Sequence, residues 1–471
     1  MKPAAHHTWP TAAVRRRAGT WTASLALATA FAAGGGALPA SAQDRVMTMW
    51  HTEPNAATVA VMNEIVADFE AQHPGVRIEA EAIGWGDLDV KMQAALAAGA
   101  PPDMAHGQTY VERSLSAKGM LMPLNPVIES IGEDDIFEVV RRLDYNEDDG
   151  NYYGLAHAIG VDVIIFRKDF YRDAGVDTDP PATWDEWLEQ LKALTVDTNG
   201  DGRPDRYGLG LAGPGFFINE DLYMWVGSNG GRLFDETGRP TFTEPEVIET
   251  LEFWKELNDC CLPPDWLSHN YLDTFALLAT GQVASILGWG RGTGYFEQYA
   301  PDAVAAGDIG IHDSKPVGPS GTPGEYVTQL DSEPWMVFKD GQNPELAIEF
   351  LKFFYQPENY RKYLHSVPTH LLPITRSMSE DEEYLSHPDF EKWDYWLDAQ
   401  LKVIAEDDPK PLLMTRWEDL KLPFLAEIAG SGILIDMVTD VVQRGVPPAD
   451  AAQRAQDRAE QLITQLGYKS W

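Results

Sequence analysis

The sequence predicts an α/β protein of at least two domains. Three observations carry this. Strand-like and helix-like segments alternate along the chain, Gly160–Arg167 is a near-continuous apolar run of the kind a sheet buried on both faces requires, and 471 residues exceed what one core ordinarily organises.

The first 42 residues read as a cleavable leader. Arg15-Arg16-Arg17 is a positive start, Trp21 to Ala33 is an apolar run too short to span a bilayer, and Ala40-Ser41-Ala42 is a cleavage site, so the mature chain is expected to begin at Gln43. The arginine run leaves general secretory and twin-arginine export both open. No Cys lies near the cleavage site to take a lipid.

Arg45–Trp50 then reads as a strand, followed by a helix to about Gln72, in which Val61, Ile65, Val66 and Phe69 recur at helical spacing. Pro74-Gly75 ends it, and Val76–Ala82 alternates as a strand. Asp87 to Ala98 is a second amphipathic helix (Leu88, Met92, Ala95, Leu96), closed by Gly99 and the prolines at 101 and 102. Such βαβ units imply a parallel sheet. Asn343-Pro344 opens a helix whose buried stripe is Leu346, Ala347, Phe350, Leu351 and Phe354, and the last helix runs from about Pro448 to Leu466.

The chain holds 36 basic and 73 acidic residues. Cleavage removes Lys2 and three arginines and no acid, which makes the mature chain more acidic still. That balance argues against nucleic acid and anionic membrane as partners. The acids are dispersed, as on a solvated surface. No stretch after the leader reaches about 18 uninterrupted apolar residues, so a soluble mature protein is expected. The cysteines are the neighbours Cys260-Cys261; two free thiols and a vicinal disulfide are both open, and neither suits a metal site.

Residues 197–210, DTNGDGRPDRYGLG, begin like a calcium loop. Asp197, Asn199, Asp201 and Gly202 fill the first four requirements of an EF-hand. Its twelfth position must be a bidentate Glu, and here it is Gly208. Arg206–Leu211 then reads as a strand where an exiting helix should start. A tight turn built by Asp, Asn and Gly is expected instead, without metal.

Longer segments carry a resemblance. FEAQHPGVRIE at 69–79 is followed by WGDLDVKMQAALAAGAPPDM at 85–104 and by GNYYGLAHAIGVDVIIFRKDFYRDAGVDTDPPATWDEWL at 150–188. The acidic turn at 197–211, GSNGGRLFDE at 227–236, LLATGQVASILGWG at 277–290 and NPELAIEFLKFF at 343–354 come next, in order. Together they resemble the carbohydrate-type (family 1) extracellular solute-binding proteins of ABC importers, over nearly the whole mature chain. The resemblance implies a two-lobed periplasmic-binding-protein fold (type II), with a ligand cleft between lobes joined by hinge strands. One lobe would take residues 43–158 with 332–376, the other 159–331 with 377–471. It further implies a periplasmic monomer that captures a mono- to oligosaccharide, glycoside or polyol, passes it to an ABC permease in the inner membrane, and uses no cofactor.

A sugar needs planar apolar surfaces for its C–H face and acids, amides, His or Arg for its hydroxyls. Such residues gather at expected strand ends, where ligands of open α/β sheets bind. On the first lobe these are Trp50 and His51, Trp85 and Asp87, and His106 and Gln108. On the second they are Asp162, which interrupts the apolar run and needs a partner, Trp225, Trp289 and Arg291. Asp331 and Trp335 sit at the second expected crossing, where the family commonly has glycines with an aromatic; Asp331-Ser332-Glu333-Pro334 departs from that pattern. Trp85 and Trp335 are expected to close on the ligand. His51 and His106 serve equally well as satisfied surface histidines, and Arg291 as half of a surface ion pair. A secreted carbohydrate-active enzyme (glycoside hydrolase or lyase) is the alternative, since 73 acids can always supply a carboxylate pair. No catalytic motif supports it. A binding protein coupled to a chemoreceptor would look the same in sequence.

Overall fold

Alternation in the first strand, β1 (Arg45–His51), buries Met47, Met49 and His51 on one face. The computed structural model describes residues 45–53, 55–213, 215–312, 314–405, 412–413 and 422–469. The leader lies outside the described residues, and so do the side chains of Trp85 and Asp331.

The strands that position the site follow in chain order as β2 (Val76–Ala82), β3 (Met104–His106), β4 (Leu155–Ala156), β5 (Gly160–Val161), β6 (Val163–Arg167), β7 (Tyr207–Gly210), β8 (Val283–Gly288), β9 (Ile309–His312), β10 (Leu330–Asp331) and β11 (Pro334–Val337). The first sheet has the order β2-β1-β3-β11-β4. Within it β1 runs parallel to β2 and β3, and β11 runs antiparallel to β3 and β4. The second sheet has the order β9-β6-β8-β7.

The second sheet corrects the expectation of parallel strands. There β6 is antiparallel to both β8 and β9, and only β7 and β8 are parallel. The chain enters this sheet from the other one rather than through a local βαβ unit, so the right-handed crossover does not set its direction. Gly160–Arg167 is likewise not one strand. It breaks at Asp162, whose N–H donates to Gln329 O at 3.0 Å.

Three chain segments pass between the sheets side by side. β4, β5 and β6 lead out of the first sheet, and β10 and β11 lead back. β5 pairs with β10 (Leu330 opposite Val161, Asp331 opposite Gly160), while Ile159 exchanges backbone hydrogen bonds with Leu372 at 3.0 Å each. Gln400, wholly buried, ties two of the segments together: its Oε1 accepts from Val161 N at 3.0 Å and its Nε2 donates to Thr369 O at 3.1 Å.

Helices cover both sheets, and their ends follow local chemistry. Thr183 and Glu186 form a reciprocal capping box that opens the helix Trp184–Leu194, a device that contributes about 1 kcal/mol, and Trp184, Trp187, Leu188, Leu191 and Leu194 make its buried stripe. In the helix Pro344–Phe354 every predicted stripe residue is buried. The predicted Asp87–Ala98 helix starts two residues earlier, at Trp85. Among the described residues no helix is long and apolar enough to cross a membrane.

The acidic turn closes on itself. Asp197 accepts backbone hydrogen bonds from Gly200, Asp201 and Gly202 at 2.6–3.2 Å, and Asp205 accepts from Thr198 and Asn199. Gly200 and Gly202 have φ of +78° and +87°, which explains both glycines. Cys260 and Cys261 are joined in a vicinal disulfide at the end of the helix Pro245–Cys260.

Candidate functional site

Parallel strands deliver their C-terminal ends to one edge of the first sheet, and polar residues gather there. β1 ends in His51, followed by Thr52 and Glu53; all three are buried. β3 ends in His106, which is fully buried opposite Trp335 of β11. The crossing segments add His157, just before β5, and Glu333, just after β10. Tyr363 and His370 follow from the helical region beyond β11.

Hydrogen bonds join these groups into one network. Thr52 N–H donates to His106 Nδ1 at 3.3 Å, with Thr52 Oγ1 3.1 Å from the same nitrogen. Thr52 Oγ1 donates to Glu333 Oε2 at 3.4 Å, which also lies 2.9 Å from His157 Nε2. Tyr363 OH meets His157 Nδ1 at 2.6 Å. The His106 and His157 rings stack at 4.2 Å, and the Trp335 ring lies 3.7 Å from that of His106.

The second sheet reaches this cluster through the end of β8. Arg291 is buried, and its Nη2 donates to both Glu53 oxygens at 3.0 Å. Gly290 makes the approach possible, because a Cβ there would lie 1.6 Å from Thr369 O. Thr369 Oγ1 donates to Gly290 O at 2.9 Å.

Burial dominates the electrostatics. It lowers the His51 pKa to about 4 and holds His106 and His370 well below the ordinary imidazole value, so these rings are neutral at pH 7. Burial alone would also lower Arg291, but the Glu53 carboxylate outweighs it and fixes the guanidinium as charged. Neutral imidazoles beside paired carboxylates can both donate to and accept from a ligand. Several polar atoms remain available: the donors His106 Nε2, Arg291 Nη1, Trp289 Nε1 and Trp335 Nε1, and the His51 Nδ1 nitrogen, are buried without a hydrogen-bond partner among the described residues. Each such atom costs roughly 1–3 kcal/mol unless a ligand or water meets it.

Of the sequence candidates, the fold therefore brings His51, His106, Arg291 and Trp335 together. The two histidines are buried network members rather than surface groups, and the Arg291 pair is buried rather than superficial. Trp289 lies edge-on to Tyr271 at 6.4 Å. Gln108 is buried at the N-cap of the helix Thr109–Ala117.

Others are placed elsewhere. Trp50 lies on the opposite face of β1 from His51, half-buried with the Lys91 ammonium 4.3 Å from its ring, because successive strand residues alternate. Asp87 is exposed in the first turn of its helix. Trp225 is wholly buried against Trp184, Trp187 and Phe253, a core position. Asp162 has its partner in the protein, since Lys315 Nζ donates to it at 2.6 Å with both side chains almost fully buried. Trp335 also packs edge-on to Phe354 and is wholly buried, so it belongs to the core as much as to the site edge.

Sequence reasoning passed over Thr52, Glu53, His157, Glu333, Tyr363 and His370. Glu333 alone left a signal, because it stands where the resemblance leads one to expect glycine. Its φ is +36°, and it is the only non-glycine residue with positive φ among the described residues.

Two sheets joined by adjacent crossings, with polar groups from both meeting beside them, define a two-lobed binding protein. The model of the family described as bacterial extracellular solute-binding protein matches residues 53–361, and the chain belongs to that family. It is a solute-binding protein and not an enzyme. A binding protein of Brucella abortus (strain 2308) is 25% identical over 354 residues, covering 75% of this chain and 82% of that protein. The arabinooligosaccharide-binding protein of Bacillus subtilis (strain 168) is 25% identical over 309 residues, 64% of this chain and 68% of that protein. Among solved structures, an ABC transporter solute-binding protein from Agrobacterium radiobacter K84 in complex with ribitol superposes with a TM-score of 0.72 at 21% identity, covering 89% of this chain and 98% of that one. One from Agrobacterium vitis S4 with bound D-mannitol gives 0.71 at 20% identity, covering 90% and 100%. Both have the two-lobed periplasmic-binding-protein fold, and this chain shares it.

Proposed function

We propose that this protein is the periplasmic capture component of an ABC importer for a carbohydrate-class ligand: a mono- to oligosaccharide, glycoside or polyol. The observation that carries the reading is the buried polar network at the crossings, with donors from both sheets lacking partners among the described residues. A polyhydroxylated ligand supplies acceptors and donors in the number and density such a site needs. The named ligands of the relatives, arabino-oligosaccharide, ribitol and mannitol, belong to that chemistry.

In this reading residues 43–158 with 332–376 form one lobe and 159–331 with 377–471 the other. His51, His106, Arg291 and Trp335 join Glu53, His157 and Glu333 around the ligand, with Trp85, Gln108 and Trp289 at the margins. The leader directs export and is removed after Ala42, and the mature monomer docks transiently on its permease. A thermal-shift screen of the mature protein against sugars and polyols tests this. A saturable rise in Tm with an unaltered ligand recovered afterwards is expected. No response across the panel, or recovery of cleaved ligand, would overturn it.

A further inference from the structure

His106, His157 and Glu333 form a group with more specific chemistry than hydroxyl binding needs. One nitrogen of each imidazole and one carboxylate oxygen of Glu333 lie within 4.8 Å of one another, and all three residues are buried. Each ring has a hydroxyl at Nδ1: Tyr363 OH at 2.6 Å from His157 and Thr52 Oγ1 at 3.1 Å from His106. Outer-shell oxygens at Nδ1 are how metal-ligating imidazoles are oriented, leaving Nε2 to face the ion. His157 Nε2 faces Glu333, and His106 Nε2 is fully buried without a partner among the described residues. Glu333, which supplies that carboxylate, has a φ of +36°, in the left-handed region.

We propose that His106, His157 and Glu333 bind one divalent transition-metal ion of the zinc class. Two neutral imidazoles and a carboxylate are a donor set that such ions take, with a further position left for water or for an oxygen of the captured solute. Capture replaces the contact between His157 and Glu333, and the proton that His157 Nε2 donates there moves to Nδ1, where Tyr363 OH accepts it. It also moves the His106 proton from Nε2 to Nδ1, where Thr52 Oγ1 accepts it in place of the hydrogen bond that Thr52 N–H now donates to that nitrogen, so the ring stays neutral. The rings now stack at an interplanar angle of 18°, and they must tilt apart, because a shared ion has to lie near both ring planes.

The test is a titration of tag-free, chelator-treated mature protein with Co²⁺ and then Zn²⁺. Uptake of one equivalent of Co²⁺ is expected, with the visible absorption of an ion bound in low coordination, displaced by Zn²⁺. H106Q and E333Q should each weaken uptake about a hundredfold, and T52A about tenfold, in line with loss of a ligand and of an outer-shell partner. Circular dichroism confirms folding; E333Q is isosteric and decides the matter should H106Q fail to fold. No stoichiometric Co²⁺ uptake, or uptake unchanged in E333Q, overturns the proposal. The sugar and polyol screen on chelator-treated protein is read separately, so either reading can fail while the other stands.

Discussion

At the residue scale, burial decides what each ionisable group does. Asp144 ends the helix Glu138–Asp144 and is 2% exposed; burial raises its carboxyl from 3.8 to about 7 and outweighs the opposing charge of Arg113. A carboxylate with a raised folded pKa binds more protons folded than unfolded between those two values. Its contribution is therefore present below about pH 4 and is lost as pH rises to about 7, on the order of 4 kcal/mol. D144N should flatten this part of the stability profile and gain most over wild type near pH 8. Urea denaturation at pH 5 and pH 8 checks it, and an equal effect of D144N at both would show that Asp144 does not titrate there. Trp335 yields a second expectation. It is wholly buried against His106 and Phe354, so W335A should cost about 3–5 kcal/mol of stability as well as ligand affinity, measured by thermal and chemical unfolding.

At the element scale, the segments with strong period were legible and the junctions were not. The helix stripe Leu346, Ala347, Phe350, Leu351 and Phe354 and the first two strands stand where the spacing puts them, because periodicity reports burial directly. Asp162 was readable as an interruption, but a break in a strand does not reveal that Lys315 closes it, 153 residues away. The site was half-legible for the same reason. His51 and His106 end strands and could be found, whereas His157 reaches the network through a crossing and Tyr363 from the helix Pro357–Leu364, which no local pattern encodes; Glu333 showed only as a departure from the glycine expected there. The acidic turn was read correctly as a turn, and its geometry sets an expectation. Asp197 and Asp205 spend their oxygens on backbone N–H groups of the same loop, and calcium binding would have to break those bonds. Millimolar calcium added to chelator-treated protein should therefore leave Tm unchanged, while D197N should lower it by a similar amount with or without calcium. A calcium-dependent rise in wild type that D197N abolishes would make the loop a metal site.

At the scale of the whole molecule, the Glu53–Arg291 pair links the end of β1 in the first sheet to the end of β8 in the second. Both side chains are buried, at 1% and 5% exposure, so the pair exists only while the two walls touch. Opening the walls would return both charges to water, whereas deleting one partner leaves the other desolvated and alone in the closed form. Breaking such a pair by removing one side costs about 3–5 kcal/mol, and because the pair forms only where the walls meet, that cost is expected to fall on closure. R291A should therefore shift the unliganded protein toward an open form with a larger radius of gyration in solution scattering, with little change in its unfolding midpoint. Ligand must then supply the closure energy that the pair supplied, so its affinity should fall by more than the loss of one hydrogen bond explains. E53Q should move the radius in the same direction. If R291A instead scatters like wild type but unfolds several kcal/mol earlier, the pair is a fixed part of one core and the walls do not separate there.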